Sequence, residues 1–180
     1  MRNWFAVSVL VMLSVVVNSA RADGHAESYQ VAGHGALLLS LPEGWRSEVQ
    51  QPADDAPPTI VLTPKTGAPF QVSITPVWSM QGSISTDDQF LLASTEAAAA
   101  EAQPRTLQDK LAVIKFVGAS SHGYYFSATQ PGEYLCLAQG IVRVGELVLT
   151  FTVLTNKGQS EIVRNALQLV GAARHEPNAA

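Results

Sequence analysis

Leu147 to Thr155 reads LVLTFTVLT. Leu147, Leu149, Phe151 and Val153 would line one side of a pleated strand, and Val148, Thr150, Thr152 and Leu154 the other. Side chains alternate across a strand, so a stretch this apolar on both sides belongs in the middle of a sheet covered on both faces. Upstream, Gly145-Glu146 supplies a turn, and EYLCLAQGIVRV, Glu133 to Val144, supplies the strand that would pair with it. Before that, GYYFSAT, Gly123 to Thr129, is joined by Gln130-Pro131-Gly132-Glu133, whose central Pro-Gly suits a type II turn. LAVIKFVG, Leu111 to Gly118, precedes these. The spacing predicts a meander from Leu111 to Thr155.

The tyrosines and the cysteine of this region invite a functional reading. Tyr124, Phe126 and Ala128 alternate with Tyr125 and Ser127, and Tyr134, Cys136 and Ala138 alternate with Leu135 and Leu137. That pattern is what cross-strand packing uses. Cys136 lies between leucines with no cationic neighbour to lower its pKa, so a buried, inert thiol is expected. The hydroxyls of Tyr124, Tyr125 and Tyr134 are candidates to line a small-molecule pocket.

Two helices frame the strands. In STDDQFLLASTEAAAAEAQP, Ser85 to Pro104, Thr86 is a candidate N-cap with Gln89 completing a capping box. Asp87 and Asp88 complement the helix dipole and are not read as an acid/base pair, and Pro104 ends the helix. In Ser160 to Arg174, Ile162, Ala166, Leu169, Val170 and Ala173 form one apolar stripe. Earlier strands are expected in GALLLSLPEGW (Gly35 to Trp45), TIVLTP (Thr59 to Pro64) and FQVSITPVW (Phe70 to Trp78), with Trp45 and Trp78 as core lids. The proline-rich Gln51–Pro58 is expected to be a loop.

The ends bound the compartment. Arg2, the apolar run Trp4 to Val17 and Ala20-Arg21-Ala22 have the form of a cleavable signal peptide over residues 1–22. The apolar run falls short of the about 20 residues of a bilayer-spanning helix. The expectation is a periplasmic or secreted protein with no membrane span after cleavage. Residues 23–34 are expected to be a flexible lead-in, 35–174 a single α/β domain, and 175–180 a disordered tail.

With 11 Lys+Arg against 15 Asp+Glu, scattered and without a basic stripe, the chain is unsuited to nucleic acid. One cysteine excludes an intramolecular disulfide. HExxH, CxxC, GxSxG and P-loop motifs are absent, and His25, His34, His122 and His175 are expected to be solvent-exposed and to hold no resident metal. No catalytic, cofactor or resident-metal residue is assigned. If cleavage follows Ala22, the new N-terminus Asp23-Gly24-His25 offers an amine, two amides and an imidazole, a square-planar set suited to Cu(II) or Ni(II).

In the order of its elements the chain resembles the PsbP-like superfamily. The resemblance is carried by LPEGW, TIVLTP, FQVSITPVW, the mid-chain helix, GYYFSAT, the hairpin EYLCLAQGIVRVGELVLTFTVLT and the ending ALQLVGAAR, together covering Gly35 to Arg174. It implies an α+β fold, an antiparallel β-sheet with helices packed on both faces. Members include extrinsic subunits of the photosynthetic oxygen-evolving complex, a nuclear factor that binds a small GTPase, and bacterial envelope proteins. They act by binding, and no residue roles carry over. The expectation is an exported non-enzymatic domain with a protein partner in the cell envelope. The alternative is a small-molecule or Cu(II)/Ni(II) binder.

Overall fold

In the computed structural model, residues 24–52, 56–77 and 86–178 are described. β9 (Leu147–Thr155) takes the central place of a seven-stranded sheet. On one side of it lie β5 (Gln71–Val77), β4 (Thr59–Pro64) and β3 (Trp45–Gln50). On the other lie β8 (Cys136–Val144), β7 (Ser121–Thr129) and β6 (Ile114–Val117). Every pairing is antiparallel. A smaller antiparallel sheet joins β1 (His25–Val31) and β10 (Arg174–Glu176) to either edge of β2 (Gly35–Leu41). The protein is α+β, with two α-helices among the described residues: α1 (Asp88–Ala102) and α2 (Ser160–Gly171).

Alternation along β7 to β9 sorts the core. Tyr124, Phe126, Ala128, Leu137 and Val148 share clusters with Leu91, Ala99 and Ala102 of α1. The residues of opposite parity, among them Ala138, Val142, Leu149, Phe151 and Val153, cluster with Ala166, Leu169 and Val170 of α2 and with Leu37, Leu39 and Leu41 of β2. Phe126 and Phe151 are buried on these two different sides. The apolar character of both sides of β9 therefore has a local cause: each side meets a packed layer.

The β8–β9 hairpin turns through Gly145 and Glu146, since Val144 pairs with Leu147. Gly145 has φ 59° at the first central position, as a type II′ turn requires of glycine. The β7–β8 connection is longer than the tight turn expected at Gln130–Glu133. Thr129 pairs with Cys136, and the Gln130 N–H donates to the Leu135 carbonyl at 2.9 Å. Tyr134 and Leu135 thus belong to the loop.

α1 is capped one residue later than expected. The Asp87 carboxylate accepts from the Phe90 N–H at 2.7 Å, in place of a Thr86–Gln89 box. Aspartate is the better cap, and its position leaves Leu91, Thr95, Ala99 and Ala102 on the buried side. Pro104 falls in a 3-10 turn, Gln103–Arg105, directly after the helix. α2 ends at Gly171, short of Arg174, and Ala173 is buried beyond it.

Two expectations about the ends need correction. Within the expected lead-in 23–34, the described residues 24–34 are no loose segment: His25–Val31 pairs along its whole length with β2, burying Tyr29 and Val31. Glu27 ties β1 to the larger sheet, because its carboxylate accepts from Ser47 Oγ of β3 at 2.6 Å and from the Tyr29 hydroxyl. The 175–180 tail begins as strand, since His175 and Glu176 pair with Leu37 and Ala36. The His175 ring also binds two turns. Its Nδ1 accepts from the Glu146 N–H at 3.3 Å, and its Nε2 donates to the His34 carbonyl at 2.5 Å. The predicted signal peptide, Trp78, Asp23 and residues 179–180 lie outside the described residues.

Candidate interaction surface

The tyrosine-lined pocket does not assemble. Tyr124 and Tyr125 are consecutive in a strand and point to opposite faces: Tyr124 packs with Leu91 and Val148, Tyr125 meets Phe116 edge-on at 6.3 Å between ring centroids, and Tyr134 is in the loop. Cys136 is half-buried rather than enclosed. Trp45 is a core lid as expected, packed on Phe70 at 4.6 Å.

The histidines are dispersed. His25 is exposed and within 2.7 Å of Glu27 Oε1, His34 is exposed, and His122 and His175 are half-buried. Among the described residues no three His, Cys, Asp or Glu side chains form a metal-binding group. Gly24 lies tight against β2, where an added Cβ would stand 2.5 Å from the Leu41 carbonyl oxygen.

What the fold does bring together is a polar knot beside an open strand edge. Asp88, in the first turn of α1, accepts from the Tyr124 hydroxyl at 2.8 Å and from Lys115 Nζ at 3.3 Å. Lys115 Nζ also sits over the Tyr124 ring, 5.8 Å from its centroid. The phenol hydrogen bond, and then the ammonium, hold the Asp88 carboxyl below the usual aspartate range. The same carboxylate raises the pKa values of Tyr124 and Lys115. Sequence reading missed this group because Asp88, Lys115 and Tyr124 are joined only by the docking of α1 on β7.

The knot changes what β6 presents. Among the described residues, β6 is an edge of the seven-stranded sheet and pairs only with β7. Natural edge strands are commonly guarded by charge, lysine above all. The opposite edge, β3, follows that rule with Arg46, Glu48 and Gln50 exposed beside Val49. On β6 the one lysine is drawn over the sheet to Asp88, while Val117 is 74% and Ile114 44% exposed.

Alongside this edge, between β6 and the end of α2, lies a groove of about 440 Å³. Its walls include Phe116, Val117, Ala119, Leu167 and Ala172, and Arg164 lies at its rim as the one cation among the described lining residues. Close backbone packing shapes it. A Cβ on Gly118 would stand 2.3 Å from the Gly171 Cα, and the Ser120 N–H donates to the Gly171 carbonyl at 3.0 Å. A larger concavity of about 690 Å³ lies between α1 and residues 109–113, lined by Glu96, Asp109 and Lys110 together with alanines. Among its described lining residues, the half-buried Gln103 side chain is already engaged with the Gln108 carbonyl and the Leu111 N–H.

No protein-family model matches the chain, and no curated protein sequence matches it. The chain is similar to the solution structure of cyanobacterial PsbP (CyanoP) from Synechocystis sp. PCC 6803, with 11% sequence identity, a TM-score of 0.48, and coverage of 89% of this chain and 99% of that one.

Proposed function

We propose that this chain is an exported, non-enzymatic domain that acts by binding another protein of the cell envelope, and that the β6 edge with its groove is the surface it uses. In this reading α1 and α2 cover opposite faces of the large sheet, which leaves its edges as the places where backbone remains open. The observation that carries the proposal is the pair Val117 and Ile114, exposed aliphatics on a free edge beside an apolar groove. Apolar surface of this kind, next to unpaired strand backbone, favours association. The absence of catalytic motifs in the sequence and the leader-like residues 1–22 support the rest of the reading.

The experiment is a crosslinking capture from envelope extract with wild-type protein and with Val117→Lys, which places a charge on the edge without touching the core. The proposal expects a protein captured by the wild type and lost with the variant. Equal capture by both would contradict it.

A further inference from the structure

We infer that the partner enters this site as an extended strand added to β6, with a branched aliphatic side chain seated in the groove. The inference rests on the reading of the β6 edge as the binding surface and goes on to name the form of the ligand.

The backbone pattern supplies the first step. The Gly118 N–H donates to the Ser121 carbonyl at 2.8 Å, closing the β6–β7 hairpin. Antiparallel ladders alternate between bonded and non-bonded pairs. With Gly118 bonded, Phe116 and Ile114 are bonded to Gly123 and Tyr125, and the N–H and C=O groups of Lys115 and Val117 point away from β7. Two donors and two acceptors therefore line the open edge, two residues apart, as an incoming strand requires.

Register supplies the second step. A strand bonded at Lys115 and Val117 places its intervening residue opposite Phe116, on the same face as the Phe116 side chain. That face holds the groove between Phe116 and Leu167, Gly171 and Ala172 of α2 and its cap. Among the described residues its walls carry no carboxylate, and its volume accommodates a Leu, Ile or Val side chain. The neighbouring side chains of the incoming strand fall on the other face, beside Val117 and the tethered Lys115. Because Lys115 reaches for Asp88 instead of along the edge, it leaves the strand's path clear.

Size selects the occupant. Four residues of strand span about 13 Å, whereas a stable protein–protein interface buries about 800 Å² on each partner. An edge this short suits an extended segment, held by main-chain bonds and one anchored side chain, better than a second copy of the chain.

The test uses the whole chain, immobilised, to select from a displayed library of random heptapeptides, followed by affinity and hydrogen-exchange measurements on a synthesised winner. The expected winners carry one aliphatic residue in a strand-compatible sequence and protect the Lys115 and Val117 amides. Val117→Pro removes one outward N–H while leaving the β7 ladder intact, and should weaken binding at least tenfold. Val117→Thr keeps that N–H and should stay within about threefold. Ala172→Phe fills the groove from its exposed rim and should weaken binding at least tenfold. Circular dichroism and melting temperature of each variant check that it is folded. If no selected peptide depends on Val117, or if Val117→Pro binds as well as wild type, strand addition is wrong. Concentration-dependent dimerisation that is abolished by Val117→Pro would overturn it in favour of a second copy. Capture of an envelope protein that is lost with Val117→Lys but unchanged with Val117→Pro and Ala172→Phe would leave the β6 surface as the binding site and reject only the strand.

Discussion

Gly118, at the end of β6, and Gly171, the last residue of α2, approach so closely that a Cβ on Gly118 would stand 2.3 Å from the Gly171 Cα. The contact brings the backbone at the C-terminal end of a helix directly against the backbone at a sheet edge. Ser121 Oγ strengthens it by donating to the Val170 carbonyl at 3.0 Å. Gly118→Ala must push the strand end and the helix apart, so a loss of about 1–3 kcal/mol is expected, the usual cost of overpacking. Urea denaturation measures it, and an unchanged midpoint would mean that the two elements are not held in this contact.

Glu27 predicts an acid sensitivity at the seam between the sheets. Burial pushes its pKa up, but hydrogen bonds from Ser47, Tyr29 and His25 outweigh it and leave the carboxyl below the ordinary value of 4.5. A carboxyl depressed on folding contributes stability that is fully present above 4.5 and is lost as pH falls through the lowered folded value. Wild type should therefore lose stability in that acidic window more steeply than Glu27→Gln. At neutral pH the variant should be less stable by about 1–2 kcal/mol, through the loss of charge-assisted hydrogen bonds. Parallel stability–pH curves for the two proteins would rule out this role.

The Asp88–Tyr124 bond is testable by titration. Tyr124→Phe keeps the ring that packs on Leu91 and Val148 and deletes the hydroxyl that donates to Asp88. The Asp88 carboxyl should then titrate at higher pH, towards the ordinary aspartate value, in side-chain carboxyl NMR spectra. The effect has a definite sign because the phenol hydrogen bond is the largest cause of the depression. An unmoved Asp88 would show that Lys115 alone sets it.

The central strands were legible because their cause is local. LVLTFTVLT is apolar on both sides and lies in the middle of the sheet, and the Ile162–Ala173 stripe gave α2 to within a turn. β1 was not legible: in HAESYQV only Tyr29 and Val31 are apolar and buried, and the strand is fixed by pairing with β2 and by the Glu27–Ser47 bond across 20 residues of sequence. β10 is three residues long and exists only as an addition to β2. The tyrosine pocket could have been excluded at the outset, since consecutive strand residues such as Tyr124 and Tyr125 cannot share a face. The candidate surface could not have been found that way. IKFV reads as a strand, but its place at an edge depends on the order of all seven strands, and the withdrawal of Lys115 depends on where α1 lands.

The most direct measurement is residue-resolved amide hydrogen exchange on the free protein across Ile114–Gly118. Outward groups on an unshared edge exchange quickly while their neighbours, bonded to β7, are protected. The Lys115 and Val117 amides should exchange at least tenfold faster than those of Phe116 and Gly118. Uniform protection of all four would mean that the edge is already occupied, and uniformly fast exchange would mean that β6 is not a strand at all.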